Sequence, residues 1–103
     1  MKPFATSSTI YSSRYRSRDT ASLAKAAGIK ESDYLLNPVF FQLPASPLMA
    51  AEILHETVDI ETVTKKFGVL KSKYDFTIVE GIGGIMVPIT RKLSLLDVMK
   101  RMN

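Results

Sequence analysis

Apolar positions along the chain change spacing several times, and each change marks an element. Met1-Lys2-Pro3-Phe4-Ala5 reads as the last residues of a strand, and the Ser/Thr-rich stretch Thr6 to Ser13 reads as loop. Ala21, Leu23, Ala24, Ala26 and Ala27 favour a helix, with Asp19 as the expected N-cap and Gly28 as the stop. Tyr34-Leu35-Leu36 is a short apolar run broken by Asn37-Pro38, and a short buried strand is expected there. Val39 to Leu43 is apolar but irregular and ends at Pro44. Ser46-Pro47 pairs a cap with proline at the first helical position, so Leu48 to Leu54 is expected to be helical. Asp59 caps the next helix, where Ile60, Val63, Phe67 and Leu70 form one apolar stripe. Phe76-Thr77-Ile78-Val79 has strand composition, and Glu80 and a glycine-rich loop, Gly81-Ile82-Gly83-Gly84, follow it. Ser94 and Asp97 match a capping pattern ahead of Leu95, Leu96, Val98 and Met99. Strands alternating with helices predict an α/β fold with an incomplete parallel sheet and flanking helices.

Composition narrows the chemistry. With 103 residues the chain is one small domain or part of a larger one. Hydrophobic residues at 46% and charged residues at 23% fit a packed soluble domain rather than a disordered one. The absence of cysteine excludes disulfides, thiolate metal sites and cysteine nucleophiles. The single histidine, His55, argues against a histidine-based zinc site or a catalytic triad, and is expected to be solvated. Met49, Met86, Met99 and Met102 are expected to pack in the core or on helix faces. No apolar run is long enough to cross a bilayer and no secretory signal is visible, so a cytoplasmic protein is expected. Charge is uneven: residues 1–30 carry six basic residues and one acid, and the remainder carries eight basic and nine acidic residues. The basic excess falls on Arg14, Arg16 and Arg18, interleaved with Tyr11 and Tyr15. Nucleic acid, a membrane surface or a phosphorylated small molecule could face such a loop, and a solvated loop is the plainer account.

Candidate chemistry concentrates in two places. Glu80 stands at the carboxyl end of the expected strand, where open α/β sheets bind ligands. A carboxylate there can hold magnesium, and the glycines let backbone N–H groups approach anionic oxygens. The alternative is a tight strand-to-helix turn with a solvated glutamate. Lys2 can place a fixed positive charge on a phosphoryl or carbamate oxygen, with Thr6 as a hydrogen-bond donor to the same ligand. Asp19 is either simply an N-cap or a second metal carboxylate opposite Glu80.

Four blocks, in order, resemble the dethiobiotin synthetases, biotin-biosynthesis ligases with a P-loop NTPase-like fold. They are Met1-Lys2-Pro3-Phe4-Ala5-Thr6; Arg18-Asp19-Thr20; Leu36-Asn37-Pro38 with Leu43 through Glu52; and Tyr74-Asp75 through Gly84 to Val87-Pro88. The resemblance implies ring closure of 7,8-diaminononanoate with carbon dioxide at the expense of ATP, through a carbamate and its mixed anhydride with phosphate. It implies Lys2 as the catalytic lysine and Thr6 as a contact to the diamine. Asp19 and Glu80 become magnesium ligands, and Asp19, Glu80, Gly81, Ile82 and Gly83 become nucleotide-binding. A homodimer is also implied.

Several positions depart from the family pattern. Ile82 replaces a small alanine, Leu48 replaces a common histidine, and Arg14, Arg16 and Arg18 make the loop unusually basic. No G-x-x-x-x-G-K-[ST] phosphate loop occurs in these 103 residues. The expectation is therefore a single partial domain, the central portion of a ligase, inactive when alone. The alternatives are a fragment of a cobalamin-type P-loop amidoligase, a small basic nucleic-acid-binding module and a nonfunctional remnant.

Overall fold

Backbone pairings made by the first six residues organise the chain. The computed structural model describes residues 1–103. Strands β1 (Phe4–Thr6) and β2 (Val39–Phe41) form a two-stranded parallel sheet, with Phe4 opposite Val39, Ala5 opposite Phe40 and Thr6 opposite Phe41. Parallel neighbours need a crossover of a dozen or more residues. Helices α1 (Arg18–Ala27) and α2 (Asp33–Leu36) lie within it. Helices α3 (Pro47–Leu54), α4 (Ile60–Lys73) and α5 (Leu95–Arg101) follow. Helix α3 packs on both strands and α4 packs on α2. Phe4, Phe41, Val63, Leu70, Ile89 and Val98 are buried in one cluster. The α/β class with an incomplete parallel sheet is the one the sequence predicts.

Local capping explains why the helices sit where they do. Ser46 precedes Pro47 and accepts from the Met49 N–H, and Asp59 accepts from the Thr62 N–H. Ser94 and Asp97 form a reciprocal capping box. Gly28 ends α1 at φ 65°, a left-handed conformation that glycine adopts without Cβ strain. His55 ends α3 in the same region at φ 54°, and it is exposed, as expected.

Five expectations need correction. The N-cap of α1 is Ser17, whose Oγ accepts from the Thr20 N–H, and Asp19 lies inside the first turn. Tyr34-Leu35-Leu36 belongs to the single helical turn α2, because Ser32 caps it and Asp33 is held by Arg16. Lys2 precedes β1 rather than lying at its carboxyl end. Phe76–Val79 is not a strand. Its one pairing is with Met1, whose nitrogen donates to the Ile78 carbonyl at 2.8 Å and whose carbonyl accepts from the Glu80 N–H at 2.9 Å. These two bonds straddle Val79 as in a parallel pair, but the ladder goes no further. Finally, Met102 is buried, whereas Met49, Met86 and Met99 are exposed.

The capping box offers a direct check on this account of α5. Replacing a serine cap with alanine costs about 1 kcal/mol. Ser94→Ala should therefore lower the urea midpoint without changing the slope. An unchanged midpoint would show that α5 is held by packing alone.

Candidate active site

Three chain segments meet at the Lys2 ammonium. Its Nζ lies 2.7 Å from Glu80 Oε1, 3.0 Å from Asp19 Oδ2 and 2.9 Å from the Gly81 carbonyl oxygen. The lysine side chain is only 6% exposed, while the Asp19 and Glu80 side chains are 58% and 47% exposed. The carboxylates thus form the solvent-facing side of a buried cation. Each partner arrives by a different route. Asp19 comes from the first turn of α1, fixed by the Ser17 cap. Glu80 and Gly81 follow the extended segment paired to Met1.

The cluster shifts the lysine's proton affinity. Burial alone favours the neutral amine and lowers its pKa; hydrogen bonds and charge from Glu80 and Asp19 outweigh that, and the pKa rises above its ordinary 10.5. Lys2 therefore stays a cation at neutral pH, a fixed positive charge at the centre of the cluster.

The glycines of the loop have different causes. A Cβ on Gly81 would lie 2.7 Å from Leu95 Cδ2. Gly83 has φ 62°, and a Cβ there would meet Val87 Cγ2 at 2.9 Å. Gly84 faces open space. Ile82, between them, packs against the core cluster, so its extra bulk is directed inward.

Lys2, Asp19, Glu80 and Gly81 are thus brought together, with Ile82 and Gly83 continuing the same loop. Thr6 stands apart. It ends β1, four residues beyond Lys2, about 13 Å along an extended chain. The basic loop is largely committed to the fold. Tyr15 is buried and its hydroxyl donates to the Glu31 carbonyl, while Arg16 pairs with Asp33. Tyr11, Arg14 and Arg18 remain exposed, so the loop keeps one free ring and two free guanidinium groups at its surface. Sequence reasoning overlooked Asn37 as an anchor of the site. Its Nδ2 donates to the Lys2 carbonyl at 2.8 Å, and it is wholly buried. A polar residue between two apolar runs was the available signal.

Asp19 and Glu80 supply two hard oxygen donors, and nowhere does the chain gather three or more His, Cys, Asp or Glu side chains able to hold a metal. Two carboxylates suit magnesium, which commonly completes its shell with water and substrate phosphates. They do not suit an all-protein cage. No helix is long and apolar enough to cross a membrane.

The family described as AAA domain (AAA_26) matches residues 1–103. Among curated proteins, the chain is similar to the ATP-dependent dethiobiotin synthetase BioD of Nitrosopumilus maritimus. The two are 37% identical over 102 residues, covering 99% of this chain and 44% of that protein. The namesake from Methanococcus vannielii is 39% identical over 82 residues, covering 80% of this chain and 39% of its own length. That from Methanococcus aeolicus is 48% identical over 71 residues, covering 69% and 34%. The chain therefore spans less than half the length of these relatives.

The ion cluster predicts a pH dependence. Because the folded-state pKa of Lys2 is raised, its stabilising contribution is complete below 10.5 and is lost as pH climbs through the folded value. Stability should fall as pH rises above 10.5 and through the raised folded-state value. Asp19→Asn removes one partner and should make that fall shallower. Lys65 and Lys73 titrate in the same range in both proteins, so the difference isolates Lys2. Equal slopes in thermal melts would contradict the assignment.

Proposed function

We propose, for a chain that belongs to the AAA_26 family of AAA domains, that the complete protein is an ATP-dependent dethiobiotin synthetase. The family's domain is P-loop NTPase-like, in keeping with the α/β class and parallel sheet. The reaction assigned is closure of 7,8-diaminononanoate with carbon dioxide into a cyclic urea. The observation that carries the assignment is the Lys2 ammonium held by Asp19, Glu80 and the Gly81 carbonyl. The names of the similar proteins support it.

In the proposed chemistry, one amine of the diamine adds to carbon dioxide and loses a proton, giving a carbamate. A carbamate oxygen attacks the γ-phosphorus of ATP, and ADP leaves. The second amine then attacks the carbamoyl carbon, expels phosphate and loses a proton as the ring closes. Phosphoryl transfer of this kind depends on positioning and electrostatics more than on covalent help from the protein.

Lys2 is assigned the central role. Its charge would sit against the carbamate and the transferring phosphoryl group, where negative charge accumulates. Asp19 and Glu80 would hold magnesium, which neutralises phosphate charge when bound. Until then Lys2 offsets one of the two carboxylate charges, and the other leaves the cluster anionic toward solvent. Gly81, Ile82 and Gly83 are assigned to the nucleotide side of the site, and Thr6 to the diamine. We further assign the protein to the cytoplasm and to a homodimer. These 103 residues are proposed to be the central portion of that ligase. They lack a G-x-x-x-x-G-K-[ST] loop, so turnover is assigned to the complete protein rather than to this stretch alone.

The test is turnover by the purified complete protein supplied with ATP, magnesium, bicarbonate and 7,8-diaminononanoate. Dethiobiotin should appear with one ADP per ring closed. Lys2→Ala should lower kcat by roughly a hundredfold or more, as loss of a transition-state charge partner does. A wild-type rate in that variant, or no dethiobiotin from the unaltered protein, would sink the assignment.

A further inference from the structure

We propose that Arg16 is a positioning residue. It fastens the segment that carries Lys2 and the helix that carries Asp19 to one shared residue, Asn37. The functional consequence rests on the roles assigned above to Lys2 and Asp19; the geometry does not.

The guanidinium makes two directed contacts and two stacking contacts. Nε lies 2.5 Å from Asp33 Oδ2, and Nη2 donates to the Asn37 carbonyl at 2.5 Å. The group lies 4.4 Å from the Tyr34 ring centre and 5.5 Å from that of Phe40. Arg14 also meets a ring, Tyr15, at 5.5 Å and a carbonyl, that of Lys30, at 3.5 Å, but of the three loop arginines Arg16 is the one paired with a buried carboxylate. The planar guanidinium serves both acceptors in a fixed geometry while lying against the Tyr34 ring; a lysine ammonium is a compact point charge without that fixed fork.

Asn37 carries the restraint to Lys2. Its Nδ2 donates to the Lys2 carbonyl at 2.8 Å and to the Val39 carbonyl at 2.9 Å, while the Lys2 N–H donates to the Leu36 carbonyl at 2.8 Å. On the other side, the residue after Arg16 is Ser17, the buried N-cap of α1, and Asp19 lies in that helix's first turn. Moving Arg16 therefore moves the start of α1 relative to Lys2.

The energetics favour orientation over stability as the reason for this arrangement. Asp33 and Asn37 are buried polar side chains, and burying them costs free energy that their bonds to Arg16 and Lys2 must offset. Apolar residues of similar volume often stabilise better than a buried ion pair. A polar hub of this kind adds little net stability, but its directed bonds fix two segments in one register.

The experiment reads the ammonium directly. In the complete protein labelled with 15N-lysine, without metal or nucleotide, the Lys2 ammonium signal is assigned by its loss in Lys2→Gln. In Arg16→Lys its proton exchange with water should quicken by roughly tenfold or more, the scale of one lost charge-assisted hydrogen bond. In the same variant kcat for ring closure should fall, and because Asp19 moves with α1 the KM for magnesium-ATP should rise with it. A folded Arg16→Lys protein with wild-type ammonium exchange overturns the proposal. Should that variant fail to fold, Asp33→Asn and Tyr34→Leu each remove one support of the guanidinium. Faster exchange in both sustains the proposal, and wild-type exchange in both overturns it. Because the exchange readout needs no substrate, it decides the matter even if the complete protein proves not to close the ring.

Discussion

A buried ammonium has to be paired, and that constraint shapes the structure around Lys2. Removing one charge from water costs several kcal/mol even after relaxation. The Lys2 side chain is 6% exposed, so its partners must be close and well directed. Asp19 and Glu80 meet that need from positions 17 and 78 residues away, with the Gly81 carbonyl as a third acceptor. Helix α1 must then begin beside Lys2, and the segment after Val79 must end there. The two backbone bonds to Met1 bring it to that point. Because the carboxylates face solvent while the lysine does not, the cluster is open on its anionic side. A ligand approaching from solvent meets the carboxylates first.

The site does not follow the simplest rule for parallel sheets. Ligands in such sheets gather beyond the carboxyl ends of strands. Glu80 obeys that rule, because it follows the extended segment Phe76–Val79. Lys2 does not, because it precedes β1. The reconciliation is a change of neighbour: Met1 pairs with the segment around Val79, and by Phe4 the chain pairs with Val39. Lys2 lies at the switch between the two pairings, with Pro3 as the next residue. The lysine can thus turn toward Glu80 while its own backbone is held from the other side by Leu36 and Asn37.

How much of this was legible in the sequence depends on how local each cause is. Ser46-Pro47, Asp59 and the Ser94–Asp97 box act within one helical turn, and those helices appear where the pattern places them. The start of α1 was ambiguous because Ser17 and Asp19 are both competent caps. The choice is made by tertiary structure, since the Asp19 carboxylate is engaged by Lys2 and Ser17 is left to cap. Tyr34-Leu35-Leu36 has strand composition, yet Ser32 and the Arg16–Asp33 pair bend it into a turn of helix. Phe76–Val79 has the residues of a strand and lacks a second neighbour. Phe76 and Ile78 remain 80% and 69% exposed. Composition sets a propensity; pairing decides whether it becomes a ladder. For the site, residue types pointed to Lys2, Asp19 and Glu80, but their convergence on one nitrogen is a long-range fact that no spacing rule contains.

The glycine loop shows why a sequence motif can be right about place and incomplete about cause. Glycines beside a strand-end carboxylate invite the explanation that backbone N–H groups need room to approach an anion. In this chain Gly81 lies directly against Leu95, whose buried side chain would have to shift for a Cβ, and Gly83 has a positive φ. Leu95 is in turn placed by the cap that starts α5, one residue earlier. The loop that carries Glu80 to Lys2 is thus held from behind by a helix that does not itself touch the ammonium. Packing behind the loop and charge in front of it act on the same backbone, since the Gly81 carbonyl that accepts from Lys2 belongs to the residue pressed against Leu95. A side chain at that position would displace both at once. The glycine therefore couples the hydrophobic core to the electrostatics of the site, whatever ligand the loop also meets.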